Sequence, residues 1–424
     1  MSKQPKTGRP AQDGHRVVVL GAGYTGMLAA IRLAHRTRRT GVQVTLVNPS
    51  ARFTERLRMH QAATGQELAE HPIPDLLAGT GVTFVQGYAT ALDPGARTVS
   101  VDAGDAGDAC SSAPGTVVLP YDSLVYALGS RADTGTVPGA EEHAYTLDGH
   151  GPAGRLAARL AEAAQTAGTV TVCGGGLTGV EAAAEIAESY PDLSVTLLCT
   201  QEPGAMMGKK TRSYLRAALT RLGVTVRTGA RVAKVLPDAV ELASGEVLRS
   251  AVCVWTTGVR VSPLAARAGV AVDERGLLLV DETLRSVSHP EIHAIGDAAA
   301  IRMPWGTLHG TCQSGMPTAA YTADTISRLL RGRPVRPFRF GYFHQPVSLG
   351  RRDAVIQFTH PDDTPRRAYL TGRAAVRYKE LVSGSPLPFY RLSRHMNMSA
   401  AISKAGRARK QVAAGDTSRV VLAG

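Results

Sequence analysis

Two stretches of this chain repeat one pattern of apolar and polar positions. Residues 15–34, HRVVVLGAGYTGMLAAIRLA, begin with an apolar run at 17–20, pass through a glycine-rich turn, and continue with small and apolar residues at helical spacing. Residues 169–188, TVTVCGGGLTGVEAAAEIAE, repeat that order. Each is followed by another apolar run, VQVTLVN ending at Asn48 and LSVTLLC ending at Cys199. Strand, glycine turn, helix and second strand predict an α/β chain built on two units of the same kind.

The glycines suggest what the turns are for. Gly21, Gly23 and Gly26 have the spacing G-x-G-x-x-G, with Ala22, Tyr24 and Thr25 between them. The first glycine permits a tight turn, the second lets a pyrophosphate approach the backbone, and the third lets helix and strand pack closely. The helix that follows offers free N–H groups and a partial positive charge to phosphates. One such motif is weak evidence, but the second unit repeats it at Gly174, Gly176 and Gly179, around Leu177 and Thr178. Two nucleotide sites in one chain point most simply to a flavin and a nicotinamide. Asn48 lies about 20 residues past Gly26, where an acidic ribose partner is usual. Its neutral amide can still hydrogen-bond a ribose hydroxyl.

Elsewhere the pattern is less regular. Residues 81–93 and 97–102 read as paired strands, 103–115 as an exposed low-complexity hairpin loop, and 116–130 as one buried strand ending in a turn at Gly129. A helix is expected near 209–222, with strands at 224–229, 239–243 and 251–258. The run 292–295 ends in Gly296-Asp297 and small residues, which predicts another strand-to-helix turn. Beyond residue 338 the alternation of 340–360 predicts strands, and 372–382 a helix. Residues 393–424 are polar and basic, with a frayed character.

Composition narrows the class. A chain of 424 residues accommodates two or three domains, and 44% hydrophobic residues is a globular composition. No apolar stretch approaches the ~20 residues of a membrane span. The opening MSKQPKTGRPAQDGH lacks an apolar core, so it reads as a disordered lead-in rather than a secretory signal. The formal charge of +13 has no zinc-ligand spacing, aromatic RNA-binding signature or concentrated basic stripe beside it, so no nucleic-acid partner is expected. The five cysteines form no C-x-x-C pair, which argues against a dithiol mechanism, a disulfide framework or a metal site. Cys173, Cys199 and Cys253 read as small core residues, and the compartment as reducing and cytoplasmic.

Taken in order, the motifs GAGYTG, RFTERLRMHQAATG, YDSLVYALGS, VPGAEEHAYTL, GGGLTGVEAAAE, VWTTGVRVSPL and EIHAIGDAA resemble those of the two-dinucleotide flavoprotein superfamily (pyridine nucleotide-disulfide oxidoreductase-like). Within it they look most like the type II NADH dehydrogenase group. The match runs from about residue 16 to 349. The resemblance implies two Rossmann-like dinucleotide-binding domains, the second inserted in the first, plus a C-terminal α+β cap. The FAD domain would comprise 1–145 and 285–337, the NAD(P)H domain 146–284, and the cap with its basic tail 338–424.

It also implies roles for residues. Gly21, Gly23 and Gly26 would cradle the FAD pyrophosphate, Ala127, Leu128 and Gly129 would pack beside the cofactor, and Arg58 would be among its contacts. Asp297, after Gly296, would accept from the ribitol hydroxyls, with a helix-capping role as the alternative. Glu181 matches the family's GVE glutamate near the flavin–nicotinamide junction; first-turn dipole compensation is the other reading. Thr257 and Gly258 would border that junction.

Three departures bear on specificity. Asn48 and Cys199 stand where acidic ribose partners are usual. No arginine neighbours Cys199 in sequence to favour a 2′-phosphate, and Glu202 disfavours one. The quinone-facing A-Q-x-A-x-Q-Q pattern keeps Gln313 but has Pro317 and Thr318 at the paired glutamines, and Pro317 is expected to end or bend the turn before it. Gln313 is then expected to meet the acceptor largely alone. His60, beside Arg58 and Gln61, reads as a proton donor to the acceptor or as a surface histidine without function. The expected activity is FAD-dependent transfer of reducing equivalents from NAD(P)H to a small-molecule acceptor, a quinone first. A specialised metabolite as substrate and a non-catalytic NADH-binding flavoprotein are the alternatives. A peripheral membrane contact and a homodimer remain open at this stage.

Overall fold

Each glycine turn sits between a buried strand and a helix. The computed structural model describes residues 14–104, 115–396 and 406–409. The lead-in, the low-complexity loop and most of the basic tail expected from sequence lie outside the described residues. In the first unit, β1 (Arg16–Leu20) enters the turn, α1 (Tyr24–Thr37) leaves it, and β2 (Gln43–Asn48) returns parallel to β1. Val17, Val18, Val19 and Leu20 are buried, as a central parallel strand covered on both faces requires. The short helix α2 (Met59–Ala62) follows. Strands β3 (Val82–Gln86) and β4 (Ser123–Tyr126) extend the sheet on either side.

Two sequence expectations are corrected here. Val82–Gln86 does not pair with its successor but joins the parallel sheet. Gly87 makes the break, since a Cβ there would lie 2.6 Å from the Asp102 carbonyl oxygen. The ribbon Tyr88–Asp93, Thr98–Asp102 and Thr116–Pro120 then forms a separate antiparallel sheet. The run expected as one strand over 116–130 is therefore two. They divide where the Asp122 carboxylate accepts from the Arg16 backbone N–H at 2.8 Å and from its guanidinium at 3.1 Å.

The second unit begins with the short edge strand Ala144–Tyr145, followed by α3 (His150–Ala164). Strand β5 (Thr169–Cys173), helix α4 (Leu177–Ser189) and strand β6 (Ser194–Leu198) carry its turn. Helix α5 (Lys209–Arg221) and strands β7 (Thr225–Arg227) and β8 (Val252–Trp255) complete it. The sheet order is β7-β6-β5-β8, with Ala144–Tyr145 at the edge, all parallel. Leu264, Val270, Val272, Leu278 and Leu284 already pack in the first core, so the return crossing starts before residue 285. Strand β9 (Ile292–Ala294) then pairs with β4, giving the first sheet the order β9-β4-β1-β2-β3.

Gly296-Asp297 leads into a three-residue 3-10 turn, Gly296–Ala298, and not directly into a helix. The long helix α6 (Cys312–Leu329) comes later and packs on α1, where Arg32 and Arg36 both reach Asp324, at 2.9 and 2.8 Å. A capping box between Thr311 and Ser314 closes its first turn, and the helix runs unbroken through Pro317. The expected break is absent because the first turn is held by its own cap and Pro317 is buried in the packed helix pair.

The cap is an antiparallel sheet of β10 (His344–Ser348), β11 (Ala354–Thr359) and β12 (Pro365–Thr371), followed by α7 (Gly372–Gly384) and α8 (Pro386–Ser393). Val347, Leu349 and Val355 face the second core, while Ile356 and Ala354 face Ala375 of α7. The cap sheet thus lies between the nicotinamide unit and α7, which brings α7 over α4.

Candidate active site

Both glycine turns have dinucleotide geometry. Gly21 has φ +95° and Gly174 has φ +127°, conformations that L side chains rarely adopt. A Cβ on Gly26 would lie 1.7 Å from the Gly21 carbonyl oxygen, and one on Gly179 would lie 1.9 Å from that of Gly174. Each third glycine therefore sets helix-to-strand contact. Gly23 and Gly176 are different: they are exposed, with nothing within 4 Å of an added Cβ. Open backbone at the start of a helix is what a pyrophosphate requires, so the residues present fit two dinucleotides. Thr256 seals the second turn. Its Oγ1 would lie 2.6 Å from a Gly179 Cβ, and it donates to the Cys173 carbonyl at 2.9 Å. Thr257 and Gly258 are exposed beside it, and the Gly258 carbonyl accepts from the Asp133 N–H at 3.3 Å.

Around the first turn, Ala127 lies directly under Gly21 and Gly26, and Leu128 packs behind it. Gly129 takes φ +65° and leads into Ser130, whose hydroxyl donates to Asp297 Oδ2 at 2.8 Å. Gly296 donates its N–H to Thr318 Oγ1 at 3.1 Å, so the residue at a departed glutamine position anchors the Asp297 turn. The Thr25 side chain packs against Gly296 and Gly315. Asn48 fastens the turn itself: its Oδ1 accepts from Ala22 N at 3.0 Å, and its Nδ2 donates to Ser50 O at 2.8 Å. Tyr24 stands edge-on to Phe53 at 5.3 Å in a buried aromatic cluster.

A buried charged cluster joins α2, α4 and the cap. Glu181 Oε1 accepts from Lys379 Nζ, and from the Ser348 N–H at 3.0 Å. His60 is 4% exposed, which overturns the surface reading of that residue. Its Nδ1 lies 4.0 Å from Glu181 Oε2, and its Nε2 lies 3.9 Å from Glu185 Oε2. Among the described residues, His60 Nε2 and Glu185 Oε2 are buried without a hydrogen-bond partner. Gln66 donates to the other oxygen of Glu185 at 2.5 Å. Arg58 is engaged by Glu380 at 2.8 Å, with Glu55 at 3.6 Å. Lys379 lies in no sequence motif, whereas Glu185 closes the motif GGGLTGVEAAAE four residues past Glu181, a spacing that puts both carboxylates on one face of a helix.

Environment separates the protonation of these groups. Burial alone would raise the Glu181 carboxyl, but Lys379 and His60 beside it hold it below the ordinary range. Burial raises Glu185, against the pull of Gln66 and Arg351. Burial pushes His60 from its ordinary 6.5 to about 4, against the nearby Glu181. Between those pH values the unfolded chain binds a proton at His60 and the folded chain does not, so this group's stability is present above pH 6.5 and lost as pH falls to about 4. The contribution is about 3 kcal/mol. Thermal denaturation across this range should therefore show a steeper acid loss for the wild type than for His60→Gln. Parallel profiles would mean that His60 is not shielded from water.

Gln313 has partners that its sequence position does not reveal. Its Nε2 donates to the His344 carbonyl at 2.9 Å and its Oε1 accepts from the Phe343 N–H at 2.8 Å. The amide clamps the start of β10 to the first turn of α6.

At the far end of the second unit, folding brings arginines close to Cys199. Arg227 pairs across from Leu198, and the Cys199 N–H donates to its carbonyl at 2.9 Å. Arg216 pairs with Glu202 at 2.6 Å, and Arg227 with Glu246 at 2.6 Å. Cys199 is a buried free thiol, as are Cys173 and Cys253, whose sulfurs lie 3.8 Å apart.

Similarity to known proteins agrees with this geometry. Residues 15–323 match the pyridine nucleotide-disulphide oxidoreductase family. An NADH dehydrogenase-like protein of Mycobacterium tuberculosis is 33% identical over 361 residues, covering 80% of this chain and 87% of the relative. A type II NADH:quinone oxidoreductase of Staphylococcus epidermidis is 28% identical over 376 residues, covering 81% and 90%. NDH2 from Plasmodium falciparum, solved in complex with NADH, shares the fold with a TM-score of 0.74 at 15% identity, covering 90% of this chain and 97% of that one. With the match spanning both glycine turns and most of the chain, this protein belongs to the pyridine nucleotide-disulphide oxidoreductase family, an α/β oxidoreductase with sites for FAD and a nicotinamide dinucleotide.

Proposed function

We propose that the protein oxidises NAD(P)H and passes the two electrons to a quinone. The bound flavin supplies the two-electron relay between donor and acceptor. The observation that carries this reading is the position of Glu181. It sits little more than one turn into α4, the helix that opens from the nicotinamide turn, and it is held there by Lys379 and Ser348 of the cap. Reduction of a quinone to a quinol takes up two electrons and two protons. The donor's hydride accounts for both electrons and one proton, so the protein must deliver one more. Glu181 accepts or releases that proton at Oε2, the oxygen facing His60, while Oε1 stays fixed by Lys379. Neutral His60 stands between Glu181 and Glu185 and can exchange a proton with either. Gln313 positions the wall of the acceptor side by holding Phe343 and His344. Asp297, kept in place by Ser130, accepts from cofactor hydroxyls. The relatives whose names give a quinone as acceptor support the choice of substrate.

The test separates the two half-reactions by anaerobic stopped flow. NADH should bleach the flavin absorbance, and a quinone should restore it. If no quinone restores it faster than dissolved oxygen does, the quinone reading falls while the donor reading stands.

The same reading gives NADH as the preferred donor, because the arginines near Cys199 are neutralised by their own carboxylates. Glu202→Ala frees Arg216 and should narrow the ratio of kcat/KM for NADH over NADPH by up to about tenfold. An unchanged ratio would place 2′-phosphate discrimination elsewhere.

Among the described residues no helix is long and apolar enough to cross a membrane. Helices α7 and α8 and the turn after them instead expose Leu381 (74% exposed), Leu392 and Met396 beside Arg377 and Arg391. We assign to this basic, apolar face a peripheral contact with an anionic membrane on the cytoplasmic side, where a lipid-borne quinone would be reached.

A further inference from the structure

A cleft of about 340 Å³ opens on the cap, lined by Arg351, Arg352, Arg373, Val376 and Arg377. Four guanidinium groups around one small opening repel one another unless carboxylates or a ligand compensate them. Only Arg351 has such compensation: its guanidinium pairs with Glu380 at 3.1 Å and lies 3.9 Å from the Glu185 carboxylate, and its backbone N–H donates to the Glu188 carboxylate. Among the described residues, no hydrogen bond or ion pair engages the guanidinium of Arg352, Arg373 or Arg377. The nearby acid, Asp353, is already occupied. Tyr214, the Ala354 N–H and the Gly372 N–H share its Oδ1, and Arg221 takes Oδ2. The start of α7 adds to the positive potential, since its first turn contains no acidic residue and the Thr371 side chain does not cap it. Arg373 and Arg377 are one helical turn apart on α7, and Arg352 comes from the hairpin between β10 and β11, so two separate elements converge on the opening.

We propose that this cleft binds a phosphate-bearing anion at a site distinct from both dinucleotide turns. Planar, bidentate donors from two elements suit the several oxygens of a phosphate group better than a single carboxylate. Val376 leaves one apolar wall for whatever carries the phosphate. A soluble phosphate ester and an anionic lipid headgroup share this chemistry. The site also touches the proton-handling cluster without belonging to it. Helix α7 carries Arg373 and Arg377 into the cleft and Lys379 to Glu181, and Arg351 and Arg58 grip the same Glu380. Occupancy of the cleft therefore reaches α7, the element that holds Lys379.

The test uses the FAD-loaded protein with saturating NAD⁺, which blocks phosphate binding at the nicotinamide turn. Inorganic pyrophosphate is titrated by calorimetry, and vesicles of phosphatidylglycerol or of phosphatidylcholine are tested by sedimentation. The double variant Arg373→Gln/Arg377→Gln is compared with the single variant Arg352→Gln, which lies on the other element. Pyrophosphate binding by the wild type that weakens about tenfold or more in both variants supports the proposal and assigns a soluble phosphate. Binding to phosphatidylglycerol vesicles that both variants lose, with no pyrophosphate site, supports it and assigns a lipid headgroup. Flavin content and the rate of reduction by NADH serve as folding controls in each case. If wild type and variants bind both probes equally, or if only one element matters, the cleft is not a phosphate site. Neither outcome bears on quinone turnover, so this proposal can fail while the proposed reaction stands.

Discussion

A Gly179→Val variant is expected to keep its FAD and lose its response to NADH. The first added carbon would lie 1.9 Å from the Gly174 carbonyl oxygen and 2.6 Å from Thr256 Oγ1. Neither neighbour can retreat freely. Gly174 is held in the turn by its N–H bond to the Leu198 carbonyl, and Thr256 is held by its bond to the Cys173 carbonyl. Helix α4 must therefore move off β5, which pulls the helix N-terminus away from the site of the nicotinamide pyrophosphate. Overpacking of this kind costs about 1–3 kcal/mol, which corresponds to NADH binding weaker by about fivefold to 150-fold. The first turn lies in a separate core, so flavin occupancy should persist. Rapid-mixing reduction across a series of NADH concentrations measures the effect, with flavin content as the control. Loss of flavin with unchanged NADH affinity would mean that the two turns have been assigned the wrong way round.

Removing Glu181 should be nearly as severe, and in two separable ways. Lys379 is 8% exposed at its side chain, and Glu181 is the carboxylate it contacts. Glu181→Leu leaves that ammonium buried and unpaired, a loss of about 3–5 kcal/mol. Replacing both partners, as Glu181→Leu/Lys379→Leu, removes the unpaired charge and should recover most of the stability. The chemistry should not recover, since both variants lack the carboxylate that hands on the proton. Reduction by NADH should stay near the wild-type rate, whereas reoxidation by quinone should slow by about a hundredfold, as expected for loss of a general acid–base. If the double variant reoxidises as fast as the wild type, Glu181 is structural and the proton follows another route. The helix-dipole reading of Glu181 predicts that outcome.

What the sequence could reveal was local. Gly26 and Gly179 are each demanded by the carbonyl of the glycine five residues earlier, and Gly21 and Gly174 by their own positive φ, so the motif alone announced both turns. The apolar runs beside them became central parallel strands, because a run buried on both faces has few other fates. Where one residue decided a strand's direction, as Gly87 and Asp122 do, the apolar pattern continued across the break and gave no sign of it.

The pairing of the buried polar groups was decided by tertiary structure. Glu181 meets Lys379 across 198 residues, Ser130 meets Asp297 across 167, and Gln66 meets Glu185 across 119. A polar side chain's partner depends on which elements the hydrophobic cores press together, and periodicity carries no record of that choice. His60 reads in sequence as a polar residue between Met59 and Gln61; packing of α2 against α4 buries it between two carboxylates. Gln313 reads as a lone ligand for an acceptor, but the docked cap gives both ends of its amide to backbone partners. Cys199 has no arginine beside it along the chain, yet the neighbouring strand and helix bring two, each already neutralised. The sequence by itself determined that two dinucleotide turns would form, because glycine geometry is a property of a few adjacent residues. Only the folded chain determined which charges surround those turns, because burial and pairing arise from contacts between segments distant in sequence.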